Sequence, residues 1–333
     1  MERQDSRLRC SLSDGGGDLF FSLVGYRNDL FVSNNPKKIM EFYSSFKDEN
    51  ELVRWMKERP NGAAYLHEVD GDKEIIVVIP TADYEGEYAK RCREEVFKGL
   101  HIVFVESGNA PDPYFNYARN LNIGITKALE YNPKWIIYSN DDVYKIDDIF
   151  KLRNELKLLN NTVDIAFTTT GKYHSTIVEL NKIKWYVRLL TGGFNNIKYE
   201  KITNLRIYVL MSLIGFGVDY IVMPEVSGYK LALYKRMMKF FNPGSFLAFR
   251  PKFLVKTNGH LFDETFVNAG EDFDLGFRII TGKEIWKQID FRIGDIIGGS
   301  FGNTKLRAMR YNICNGVYQD MKIKNVFNIQ SKK

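Results

Sequence analysis

Two acidic clusters, far apart in the chain, are the positions best suited to chemistry. Asn140, Asp141 and Asp142 close the apolar run KWIIYSNDDV at 134–143, so adjacent carboxylates stand at the end of a buried strand. Taking them out of water is costly unless a cation or hydrogen-bond donors compensate them. A hard divalent ion, Mg²⁺ or Mn²⁺, meets that need, because it takes one or two protein carboxylates and completes its shell with water and phosphate oxygens. A turn or helix cap accounts for the same tripeptide equally well, since Asp and Asn favour both. Glu271 and Asp272 open a helical stretch far downstream, where acids are favoured by the helix dipole. Combined, the clusters describe a cleft in which one holds a metal–diphosphate and the other takes a proton.

Other templates fail. The chain has no G-x-x-x-x-G-K-[ST] and no G-x-G-x-x-G after its first buried strand, which argues against a P-loop triphosphatase or a dinucleotide oxidoreductase. The four histidines, His67, His101, His174 and His260, form no H-E-x-x-H set. His67, a lone histidine on a strand, reads as packing or surface. The loop GGSFGN at 298–303 is a weak phosphate-binding candidate. Basic and aromatic residues mingle at 182–201 without a recognised nucleic-acid module, so no nucleic acid is expected as partner. Cys10, Cys92 and Cys314 match neither a disulfide framework nor a zinc spacing, which fits a reducing compartment. No secretory signal pattern occurs up to Asp18, and a cytoplasmic location is expected.

The elements that must position these residues follow from hydrophobic patterning. With 333 residues, 44% apolar and 26% charged, the chain is long enough for a large core and too mixed for a disordered tail. Residues 1–72 read as an N-terminal α/β accessory region: two strands within 18–33 around a turn at Arg27–Asp29, helices over 36–59, and a strand near 63–69. From residue 73 to 171, EIIVVIP, HIVFVES and KWIIYSNDDV are buried strands separated by helices over 85–98 and 115–131. Alternating strand and helix predict a doubly wound, mostly parallel α/β sheet, with ligands at the carboxyl ends of its strands. Thr81, Glu106, Asn140, Asp141 and Asp142 are then neighbours. Residues 244–333 return with a strand, a polar loop, the acidic helix at Glu271, a strand near 290–297 and a basic helix carrying Arg307 and Arg310.

Between 171 and 240 lie eleven Lys/Arg against four Asp/Glu, more than the whole chain's net +6. This basic insertion, 172–243, holds a run of 17 residues at 207–223 interrupted by Asp219, too short to cross a bilayer. Leu231, Tyr234, Met237, Met238 and Phe241 share one helical face, and Lys235, Arg236 and Lys239 the other. An ordinary amphipathic helix and a helix docked on an anionic membrane surface both fit.

In order and spacing, the chain from about Glu74 to Gly302 resembles a family-two glycosyltransferase of the Rossmann-like GT-A fold, interrupted by the basic insertion. IIVVIPT is similar to the family's first strand, and FVESG stands where an acidic residue contacts the nucleoside. YARNLNIGITKAL is similar to the Ala-Arg-Asn-x-Gly-Ile helix, and SNDDV to the metal-binding Asp-x-Asp variant. GSFLAFRPKFLVKTNGHLFDETFVNAGEDFDLGFR is similar to the acceptor-side block ending in Glu-Asp. The resemblance implies an inverting transferase that moves a sugar from a nucleotide diphosphate donor to a hydroxyl of a glycan, lipid-linked or protein acceptor, assisted by Mg²⁺ or Mn²⁺. It assigns Pro80, Thr81, Glu106, Arg119, Asn140 and Asp141 to the donor pocket, Asp142 with Asp141 to the metal, and Asp272 to the general base, with Glu271 as acceptor holder or substitute base. Glu106 stands for the commoner Asp and Asn140 for the first acid, which implies modest metal affinity; Asp295 falls where many relatives carry a histidine. The alternatives are a nucleotidyltransferase, whose Gly-rich basic loop is replaced here by TADYEGEY, and a non-catalytic nucleotide-sugar-binding protein.

Overall fold

β-Branched runs too apolar for an exposed face set the centre of the fold. The computed structural model describes residues 26–108, 112–168, 176–180, 220–223, 238–241, 245–281, 284–296 and 304–327. Three of these runs become β2 (Asp72–Thr81), β3 (Leu100–Glu106) and β4 (Trp135–Ser139), adjacent and parallel in the order β3-β2-β4. β1 (Tyr65–Val69) lies antiparallel on β3. On the other side follow β10 (Phe246–Phe249), antiparallel to both neighbours, β6 (Ile165–Thr168) and β11 (Trp286–Ile289). The result is an α/β protein around a mixed seven-stranded sheet, parallel at its centre and less parallel overall than alternating strand and helix predict. The difference arises because β1 and β10, reached by other routes than a β-α-β crossover, enter antiparallel.

Helices cover both faces. α5 (Tyr117–Leu129) packs Leu121 and Ile125 on Ile76, Val78, Val103 and Val105, and α7 (Lys252–Val255) with Phe253 and α8 (Glu271–Thr281) with Leu275 and Ile279 belong to the same core. The opposite face buries Val77, Ile79, Ile102 and Phe104 under α4 (Glu87–Arg91), its π-helical continuation Cys92–Val96, and α6 (Ile149–Leu158). Side-chain caps set where helices begin: the Asn116 side chain accepts from the Arg119 N–H at 3.1 Å and Asp148 from the Phe150 N–H at 2.9 Å. α5 approaches the sheet so closely that a Cβ on Gly124 would lie 2.4 Å from a Val78 methyl. Only glycine fits there without displacing the helix.

The N-terminal stretch is built into this frame. α1 (Asn28–Phe31), α2 (Pro36–Ser44) and α3 (Glu49–Glu58) bury Phe31, Phe42, Trp55 and Met56 against Val267 and against Tyr311 and Cys314 of α9 (Thr304–Phe327). Together with β1 on the sheet edge, these contacts pack residues 26–72 against the rest of the chain. Asn28–Phe31 is helical, not the second strand expected within 18–33, because Leu30 and Phe31 face this helical core from a single turn. The expected strand over 18–25 lies outside the described residues.

The basic insertion contains strand, contrary to a purely helical reading. β7 (Thr176–Leu180), β8 (Tyr220–Met223) and β9 (Met238–Phe241) form an antiparallel sheet in the order β8-β7-β9. The helix read over 231–241 therefore does not reach Met238–Phe241, a short run whose Phe pair suits a strand as well as a helix once a partner strand is present. Residues 231–237, the run before Tyr220 and the loop 298–303 lie outside the described residues. Among the described residues no helix is long and apolar enough to cross a membrane.

Candidate active site

Strand order reverses at β2, and it is at such a point, outside the carboxyl ends of the parallel strands, that open α/β sheets hold ligands. The β2–β4 ladder stops at Val78 opposite Tyr138, two residues before Pro80. Pro80 has no N–H to extend it. Beyond that point the strand ends hold Thr81 on one side and Asn140–Asp142 on the other, and the Thr81 hydroxyl donates to Asp141 Oδ2 at 2.8 Å across the gap. The chain then forms β5 (Val143–Lys145), pairs with β12 (Ile293–Asp295) and sets Asp295 opposite Val143, next to Asp142. The Ile296 N–H donates to the Asp142 carbonyl at 2.8 Å.

Asp141 and Asp142 are both buried, at 8% and 7% exposure, so the cost of keeping two adjacent carboxylates there is real. Among the described residues no group of three His, Cys, Asp or Glu side chains is arrayed for a metal. A magnesium-type ion bound with a diphosphate needs only one or two carboxylates, and this oxygen-only pair fits that donor set.

The second acidic cluster reaches the first through α5. The Tyr117 hydroxyl donates to Asn140 Oδ1 at 2.7 Å. Burial raises its pKa well above the ordinary phenol value, and Tyr138, Glu271, Asp272 and Asp142 reinforce the shift. One hydroxyl thus lies in the field of carboxylates from both clusters. Tyr138, on β4, is raised by burial and by the charges of Asp272 and Glu271.

Glu271 follows Gly270, whose φ of +92° turns the chain into α8. It is 7% exposed, and its Oε2 has no hydrogen-bond partner among the described residues. Burial, then the charge of Asp272, push its pKa from 4.5 to about 8. Between these values the folded chain keeps a proton that the unfolded chain has lost, so stability falls as pH rises from about 4.5 to about 8 and levels off above. Glu271→Gln is expected to abolish that decline, melting higher than wild type at pH 8 and close to it at pH 5. Parallel melting profiles for the two proteins would show that Glu271 is not its source.

The segment that delivers α8 is irregular, and buried side chains from distant elements satisfy its backbone. Arg59, 6% exposed, donates to the carbonyls of Thr265 (3.0 Å), Glu264 (3.0 Å), Phe266 (2.7 Å) and, from the same guanidinium, Met56. Asn122 exchanges hydrogen bonds with Phe262 at 2.9 and 3.1 Å, and Asn315 does so with Val267 at 2.9 and 2.8 Å.

The remaining expected site residues divide. Glu106 ends β3 opposite Thr81 and lies at the same strand edge. Arg119 is turned elsewhere: its Nη1 donates to the Gly62 carbonyl at 3.1 Å, because it sits about 200° around the helix from Tyr117. Tyr117, Arg59 and Asn122 escape a sequence reading, since their contacts are long-range and no local motif announces them. His67, read as packing or surface, bonds Glu106.

Fold and site define an α/β protein with two acidic clusters meeting at the carboxyl ends of its central strands. Compared with known proteins, the chain matches no protein-family model and no curated protein.

Proposed function

We propose that this chain is an inverting glycosyltransferase of the GT-A type that moves a sugar from a nucleotide diphosphate to an acceptor hydroxyl. The observation that carries the reading is the position of Tyr117, bonded to Asn140 while sensing Asp142, Glu271 and Asp272 together. Carboxylates of both clusters around one hydroxyl suit a single displacement at the anomeric carbon, which needs an acid on the metal side and an acid on the base side. Asp272 accepts the acceptor's proton as the new bond to carbon forms. Glu271, held protonated below about pH 8, offers its proton as a hydrogen bond to the acceptor instead of competing as base. Thr81 orients Asp141 beside Asp142, and the two carboxylates together would hold a divalent ion. When bound, that ion supplies charge neutralisation to the diphosphate leaving group.

The test is a panel of nucleotide sugars with Mg²⁺ or Mn²⁺, read by thermal shift and by release of the nucleoside diphosphate. Stabilisation followed by turnover supports a transferase; stabilisation without consumption of any donor, whatever the acceptor supplied, would leave only a binding protein. Asp142→Asn is expected to weaken metal-dependent binding of the nucleoside diphosphate by at least about tenfold, measured by calorimetry with and without Mn²⁺. An unchanged metal titration would remove Asp142 from the ligand set.

A further inference from the structure

β1 precedes the part of the chain that carries the glycosyltransferase resemblance, yet it places a side chain at the donor end of the sheet. In the β1–β3 ladder His67 stands opposite Phe104, so it shares a sheet face with Glu106 two residues on. His67 Nε2 lies 2.7 Å from Glu106 Oε2. Whether neutral with a proton on Nε2 or fully protonated, the imidazole donates to the carboxylate. The other oxygen, Oε1, accepts the Tyr84 N–H at 3.4 Å.

The imidazole is held in place from the side as well. It stacks on the Tyr84 ring at a centroid distance of 4.2 Å with only 5° between the planes. Tyr84 in turn meets the Phe104 ring edge-on at 5.4 Å. Arg93 lies over Tyr84 at 4.8 Å and donates to its carbonyl at 2.6 Å. A ring fixed by stacking and by a charge-assisted bond loses little further entropy when a ligand arrives. His67 and Glu106 remain 32% and 22% exposed, so a ligand can reach the pair. Glu106 is opposite Thr81 on β2, and Thr81 bonds Asp141, which links the pair to the acidic crevice.

We infer that His67 is a positioning residue for nucleotide recognition: its bond to Glu106 and its stack on Tyr84 hold the Glu106 carboxylate in the orientation that accepts a hydrogen bond from the donor's nucleoside. The inference rests on the transferase reading in that it assumes a nucleoside diphosphate occupies this crevice. It adds that a strand from the N-terminal stretch completes the pocket.

The experiment titrates UDP, GDP, ADP and CDP, each with Mn²⁺, into the full chain by calorimetry. The nucleotide that binds is then titrated into His67→Ala, His67→Gln, Glu106→Ala and the His67→Ala/Glu106→Ala double variant. His67→Ala is expected to weaken binding about tenfold, as loss of a hydrogen bond to a charged group does. His67→Gln, which keeps an N–H donor, restores most of the affinity. In the Glu106→Ala background the His67→Ala change adds nothing, because the histidine acts through that carboxylate. In turnover assays the loss falls on the donor's KM rather than on kcat. Wild-type affinity in His67→Ala, or an undiminished His67→Ala effect in the Glu106→Ala background, overturns the inference while leaving the transferase reading intact. Failure of the wild-type chain to bind any of the four nucleotides defeats the transferase reading and this inference together.

Discussion

Asp272→Asn is expected to fold and to bind its nucleotide donor, yet to transfer sugar about 10²–10⁴-fold more slowly, the contribution of a positioned general base. The two acids at the start of α8 are not equivalent. Burial and the charge of Asp272 keep the Glu271 proton on up to about pH 8. The amide of Asn keeps the shape and removes the proton acceptor. In the proposed mechanism the donor is held by Thr81, Glu106 and the Asp141–Asp142 pair, so its affinity is expected to change less than about threefold, within ordinary mutational scatter. Release of nucleoside diphosphate at the wild-type rate would exclude Asp272 as base, and a matching loss in Glu271→Gln alone would move the role to its neighbour.

Arg59→Met is the second change with a large expected effect, on stability first and on turnover through it. The guanidinium is buried, its pKa pulled down to about 10 by that burial. It bonds the carbonyls of three consecutive residues, Glu264, Thr265 and Phe266. Glu264 has a second donor in the Asn116 amide at 2.9 Å, whereas among the described residues the Thr265 and Phe266 carbonyls accept no other hydrogen bond. Each buried carbonyl left unmet costs about 1–3 kcal/mol, so the variant should lose about 3 kcal/mol or more. Methionine keeps most of the stem's apolar packing, which assigns the loss to hydrogen bonds rather than volume. Urea unfolding is the measurement; a shift of under about 1 kcal/mol would mean that the segment before α8 does not depend on Arg59.

The central strands were legible in the sequence because burial on both faces leaves a continuous apolar run, as in EIIVVIP, HIVFVES and KWIIYS. Both acidic clusters were legible for a related reason: charged residues at the boundary of such a run stand out. The four-residue helix at Asn28–Phe31 and the strand at Met238–Phe241 were not, since so few residues carry no period, and tertiary or sheet partners decide their form. Tyr117 is the first residue of a correctly expected helix, yet its hydrogen bond reaches a partner 23 positions away. Arg59 and His67 were hidden for the same reason, with partners 205–207 and 39 positions distant. Arg119, a position carried over from the resemblance, likewise has a partner that the local sequence does not announce, the Gly62 carbonyl.

The shared core of α1–α3 and α9 has a consequence for biosynthesis. Phe31, Phe42 and Trp55 leave the ribosome long before Tyr311 and Cys314, which complete their burial. Until then the nascent chain carries an aromatic surface with nothing to cover it, the kind of exposure that recruits chaperones. Because Val267 belongs to the same core, and the stretch leading into α8 hangs from it, the segment that carries Glu271 and Asp272 is fixed only once α9 has been made.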